Sequence, residues 1–217
     1  MLREIVSNEW YTLFIMLGLV FITLAKHIFA HRFSDFIEVI GNSKYLKLYV
    51  KEQKYIDGFN TLLLLNLIIS AAIFTSIILS TFNNDWSFNL ILFLQLLVVI
   101  GAILVLKSGI ERILGRLFEI EPLIDAYLFQ KTSFKNYSGM LLIPINALLL
   151  FSVTPSKPII YFIIGFIIII NLIGFITSVR NYQKLIISNF FYFILYLCTL
   201  EIGPYLILYK LIIENEA

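Results

Sequence analysis

Six apolar segments, each near the roughly 20 residues needed to cross the hydrocarbon of a bilayer, constrain this chain more than any single motif. They lie at about 10–30, 58–82, 88–106, 136–154, 158–179 and 187–212. Backbone groups in lipid must satisfy one another within the segment, so each segment reads as a helix. Segments two and three are joined by "NNDWS" and segments four and five by "TPSKP", connections short enough to force antiparallel hairpins. The polar residues concentrate in the loops 31–57 and 107–135, and nothing reads as a separate soluble domain. The expected fold is all-α, with residues 1–217 forming one polytopic membrane domain of about six transmembrane helices. Composition agrees: 60% of the 217 residues are hydrophobic and 14% are charged, an apolar surplus beyond what a soluble core buries. The first segment does not read as a cleaved leader, because it is too long and no small-x-small site follows it.

Orientation follows from the positive charge, since cytoplasmic loops retain Lys and Arg while translocated ones do not. Lys26, Arg32, Lys44, Lys47, Lys51 and Lys54 belong to the first loop, Lys107, Arg112, Arg116, Lys131 and Lys135 to the third, and Arg180 and Lys184 to the fifth. Only Arg3, Lys157 and Lys210 fall on the other side, a split of thirteen to three. Loops one, three and five are therefore expected in the cytoplasm and both termini outside. The net charge of +2 gives no reason to expect a nucleic-acid partner. Membrane lipids, other membrane proteins or further copies of the chain are the partners this layout suggests. The single Cys198 permits no intrachain disulfide.

The cytoplasmic loops carry amphipathic patterns of their own, as interfacial helices do. Ser108 and Glu111 have the spacing of a capping box, which predicts that the third helix stops there and a new one starts. Ile110, Ile113, Leu114, Leu117, Ile124, Tyr127 and Leu128 then recur at helical spacing, and Pro122 is expected to kink or divide that helix. In the first loop Phe33, Phe36, Ile37 and Ile40 make a weaker pattern, broken by Gly41-Asn42-Ser43.

The candidate polar centre lies in the last segment. Glu201 falls fourteen residues after Ile187, roughly 21 Å into a core of roughly 30 Å. A carboxyl group at that depth must face the bundle interior. Pro204 frees the carbonyl of Leu200, and Gly203 allows another chain to approach it. Gln95 and Ser70 reach nearly the same depth and are the predicted neighbours of Glu201. Asn66, Asn146 and Asn171 would form a second polar layer. These layers act either as interhelical glue or as the lining of a path for a proton, ion or lipid headgroup.

Other chemistry is sparse. His27, His31 and Asp35 recur at i, i+4 and i+8 and offer a weak metal site, for which interfacial packing is the simpler explanation. No phosphate-binding glycine loop, no G-x-S-x-G elbow and no paired magnesium-binding aspartates occur, so the sequence supplies no catalytic set and calls for no cofactor.

The order of "EWYTL", "HRFSDF", "NSKYLKLY" and "CTLEIGPYLILYK" along the chain resembles a Bacteroidota integral-membrane family known as domain of unknown function 4271. In the terminal stretch Cys198, Glu201, Pro204 and Lys210 carry the likeness. The resemblance implies a protein of the inner membrane of a Gram-negative envelope and brings no activity with it. The sequence as a whole suggests a non-catalytic component or assembly partner of an envelope-biogenesis or secretion complex. A transporter or lipid-handling protein centred on Glu201 is the alternative.

Overall fold

A computed structural model describes residues 9–42, 44–50, 57–83, 89–118, 120–181, 183 and 198. The protein is an all-α polytopic membrane protein. Five helices among the described residues are long and apolar enough to span a membrane: α1 (Glu9–Ile28), α4 (Gly58–Phe82), α5 (Leu90–Leu117), α6 (Glu121–Phe151) and α7 (Lys157–Asn181). Two short helices, α2 (Ala30–Ile37) and α3 (Lys44–Tyr49), fill the first loop. The sixth apolar segment, with Glu201 and Pro204, lies outside the described residues apart from Cys198, which is exposed.

Side-chain caps mark two of the helix starts. Asp57 accepts from the backbone N–H of Phe59 at the head of α4, and Asn89 accepts from that of Ile91 at the head of α5. The expected capping box at Ser108 does not form. α5 runs unbroken through it to Leu117, and Glu111 turns sideways to pair with Lys131 rather than back to its own backbone. The amphipathic stretch is thus a helical hairpin and not one interfacial helix. α5 ends at Leu117, the chain turns, and α6 starts at Glu121 with Pro122 in its first turn, where the missing N–H costs nothing. Gly115 makes the close approach possible, because a Cβ there would sit 2.9 Å from Cβ of Ile124.

Among the described residues α4 and α6 form the centre and share the most extensive contact. A Cβ on Gly139 would lie 2.7 Å from Cα of Leu67, so the two backbones touch where only glycine fits. α1 lies across both, with Gly18 against Ile143 and Asn66. Its Tyr11 hydroxyl and the Ser76 hydroxyl of α4 share a 2.6 Å hydrogen bond. α7 packs on α6 through Gly174 and Phe134. α5 leans on α4 and α6 and leaves most of its surface outside.

The loops at the basic end of the bundle are ordered by aromatic packing. Phe36, Tyr45, Phe59 and Phe129 form one cluster, with ring centroids 5.4 Å apart for Phe36 and Tyr45 and 5.6 Å for Tyr45 and Phe129. Phe33 and Phe36 point inward as the loop-one pattern predicts, but Ile37 and Ile40 are exposed and Val39 is buried instead. A 3-10 turn over Glu38–Ile40 changes the residues per turn after α2, which turns Val39 inward in place of Ile40.

Candidate functional site

The buried polar residues distribute differently from two stacked layers. Ser70 is fully buried on α4, and its hydroxyl donates to the carbonyl of Leu67 at 3.0 Å. Its own carbonyl accepts from Nδ2 of Asn146 at 2.8 Å, which ties α4 to α6. Asn146 therefore belongs with Ser70. Asn171 of α7 donates to the Ser138 hydroxyl of α6 at 3.2 Å and to the carbonyl of Ile167 at 2.8 Å, a separate contact. Asn66 is fully buried one turn from Ser70 and faces α1 at Gly18. Helix rotation causes the redistribution: equal depth puts residues at one level, but only the facing sides of two helices meet. Gln95 shows this, being exposed on the outer side of α5.

The His27, His31 and Asp35 pattern does not assemble into a ligand set. The helix breaks at Phe29, whose φ of −122° and ψ of 48° end the i, i+4 register. Both histidines are exposed, while Asp35 accepts from Nζ of Lys44 at 3.1 Å and from the Tyr49 hydroxyl at 3.3 Å. The hydrogen bond from Lys44 holds the Asp35 carboxyl below the usual carboxylate range. Among the described residues no group of three or more His, Cys, Asp and Glu side chains is placed to hold a metal.

A neighbouring cluster escaped the sequence reading. The Arg32 guanidinium pairs with Asp57, the cap of α4, and lies 4.8 Å from the Phe59 ring centroid and 4.9 Å from that of Tyr49. Burial pushes the Tyr45 phenol up to about 12, the nearby Arg32 offsetting only part of that effect. Burial by itself would lower the Arg32 pKa, but Tyr45 and Asp57 more than reverse this and keep the guanidinium charged. This box locks the first loop onto α4. Its residues were legible only as charges and aromatics, because Arg32 and Asp57 are separated by a loop whose fold brings them together.

Two features border α5, and they are the strongest candidates for function. On its inner side a cleft of about 650 Å³ opens between α5 and α7, floored by α4 and α6. Ala71, Phe74, Leu104, Leu142, Ile164 and Ile168 are among the residues that make it apolar. Toward the basic end it adjoins a second chamber of about 400 Å³ that contains Asp57, Glu111 and Arg112. Lys107, Lys131 and Lys135 line both chambers, half-buried where they join. Glu111 is buried and takes a 2.7 Å hydrogen bond from Nζ of Lys131, which also lies 5.6 Å from the Tyr127 ring centroid. In the sequence these lysines registered only as positive loop charge. Their spacing of four along α6 was the available sign that Lys131 and Lys135 share a face.

On its outer side α5 carries an unbroken four-three repeat: Leu92, Leu96, Val99, Ile103, Leu106, Ile110, Ile113 and Leu117. All except the half-buried Leu96 are between 43% and 72% exposed. Apolar residues repeating every seven along one face form the seam along which helices pair. At about 1.5 Å per residue the 28 residues of α5 extend roughly 42 Å, beyond a hydrocarbon core of roughly 30 Å. Ile110, Ile113 and Leu117 therefore continue the seam past the expected end of the span.

No curated protein and no solved structure matches the chain. A family model described as Domain of unknown function (DUF4271) matches residues 11–212, nearly the whole length. With that coverage, the chain belongs to the DUF4271 family.

Proposed function

We propose that the protein is a non-catalytic inner-membrane component that works by joining other membrane proteins in an envelope-biogenesis or secretion assembly. The seam on the outer face of α5 is the observation that carries this reading. Lipid covers apolar side chains within the bilayer, but Ile110, Ile113 and Leu117 extend toward the water, where exposed apolar rows mark protein contacts. The positive-charge split supports placing this end in the cytoplasm and the termini in the periplasm. The Bacteroidota likeness supports placing the membrane within a Gram-negative envelope.

The test is gentle extraction of the tagged chain from its native membrane, with mass spectrometry of everything recovered in near-equal amount. A stoichiometric partner, or a second copy, is expected, and Ile113→Lys should release it while the chain itself stays folded. Recovery of a lone monomer from wild type would sink the proposal. Lipid handling is the second reading, favoured by the cleft beside α5. Glu201→Gln separates it from proton-coupled transport, which that change should abolish, while a glue role for the acid survives it.

A further inference from the structure

We propose that the two chambers inside α5 form one binding site for a membrane lipid with an anionic phosphate headgroup. The inference stands apart from the assembly reading, because it rests on the inner side of the helix and not on the seam. Lys107 directly follows the apolar span expected at 88–106, and Lys135 directly precedes the one expected at 136–154. The two lysines therefore stand at one level, at the edge of the hydrocarbon, on neighbouring helices. That is the level at which a lipid of the adjacent leaflet carries its phosphate.

Charge favours an anion there. The smaller chamber is lined by Lys107, Arg112, Lys131 and Lys135 against Asp57 and Glu111. Both carboxylates are engaged by cations, Asp57 by Arg32 and Glu111 by Lys131. With Arg32 beside Asp57 and Asp125 beside Arg112 included, five cations stand against three carboxylates, so an incoming phosphate meets a positive surround. Above it the larger chamber offers apolar side chains along the direction in which acyl chains run. Its volume of about 650 Å³ lies within the range of about 300–1,000 Å³ typical of ligand sites. A soluble phosphate would use the polar chamber alone, whereas two adjacent chambers that share the three lysines match a molecule with a charged head and an apolar tail.

The experiment uses the full chain in phosphatidylcholine vesicles doped with a minor share of phosphatidylglycerol, re-extracted in mild detergent and weighed intact with its bound lipid. One phosphatidylglycerol per chain is expected, enriched about thirtyfold over its share in the vesicle, which corresponds to about 2 kcal/mol from the two lysines together. Lys107→Gln combined with Lys135→Gln should bring the enrichment back toward one. Ala71→Trp, which fills the apolar chamber, should remove bound lipid of either kind. Lys131 is left alone because its loss would strand buried Glu111. Thermal melts check that the variants fold. Should they fail to, the wild type still decides the matter, since its enrichment must shrink as ionic strength rises. The proposal is overturned by wild type without stoichiometric lipid, by lipid taken up in vesicle proportion, or by an enrichment insensitive to salt. A disulfide formed between cysteines placed at Leu104 and within 187–212, with no lipid bound, would assign the cleft to the chain's own last segment. An intact mass of two chains without lipid would assign it to a second copy.

Discussion

α4 and α5 are neighbours with similar hydropathy, 2.5 and 2.8, yet 61% of the spanning window of α4 is buried and only 6% of that of α5. α7, with the highest hydropathy at 2.9, buries 22%, and α6, with the lowest at 1.2, buries 44%. In water the more apolar helix would be the more buried one. In lipid, acyl chains solvate Leu and Ile as well as a protein core does, so hydrophobicity exerts no pull toward the centre. What selects α4 and α6 is their small and polar residues: Asn66, Ser70 and Ser76 on one, Ser138, Gly139 and Asn146 on the other. Such residues gain hydrogen bonds and close backbone contact only against another helix.

The contrast is sharpest at glycine. Gly139→Leu drives a side chain into the α4 backbone at Leu67, which has no room to yield. A loss of about 3 kcal/mol or more is expected, read as a collapse of the thermal melt in detergent. Gly109→Leu on α5 meets nothing within 4 Å and should leave the melt unchanged or raise it slightly. Equal effects at the two sites would break the distinction between centre and periphery.

The next largest effect is expected where α5 does engage the centre. Lys131→Met leaves the carboxylate of Glu111 buried without its partner and should cost about 3 kcal/mol. Adding Glu111→Leu should restore most of that loss, and a double-mutant cycle measures the coupling. Simple additivity would mean that the pair does not hold α5 to α6.

Tyr45 tests the basic end, whose packing is that of a soluble core. Its folded pKa of about 12 exceeds the ordinary 10, so the fold favours the neutral phenol. The resulting stability is complete below pH 10 and fades between pH 10 and 12, as the unfolded chain loses its proton first. Two units amount to about 2 to 3 kcal/mol. Melts of Tyr45→Phe and wild type should therefore diverge above pH 10, with the variant falling less. Parallel curves would show that burial at Tyr45 does not set the alkaline limit.

The smallest effect concerns the polar glue. Asn146→Ala removes the 2.8 Å bond to the Ser70 carbonyl and should cost about 0.6 to 1.7 kcal/mol. Gln95→Ala on exposed α5 should cost nothing measurable. A larger loss at Gln95 would place a further helix against that face.

The places where sequence and structure part share one cause. Ser108 and Glu111 match a local capping motif, but the acid is claimed by Lys131, twenty residues along and returned by the hairpin turn. Depth alone groups Asn146 with Asn66 and Asn171, but its side chain meets Ser70, 76 residues away, across a helix interface. The His27, His31 and Asp35 pattern assumed a helix that Phe29 interrupts. The cleft itself was invisible, since it exists only between helices. The seam on α5 was legible in principle, but a nearly continuous run of Leu, Ile and Val shows no favoured face until neighbours cover one side.

Read alone, the residues establish that the chain crosses a membrane as helices, place both ends of α1, α4 and α7 to within a few residues, and mark which end of the bundle is basic. Those properties depend on the solvation of each segment, which is local. Tertiary structure decided which helices are central, which acid meets which lysine, and that α5 stands off far enough to leave a cleft on one side and a bare seam on the other. Those depend on the rotation and separation of helices, set by side-chain shape between residues far apart in the chain, on which lipid solvation exerts no preference.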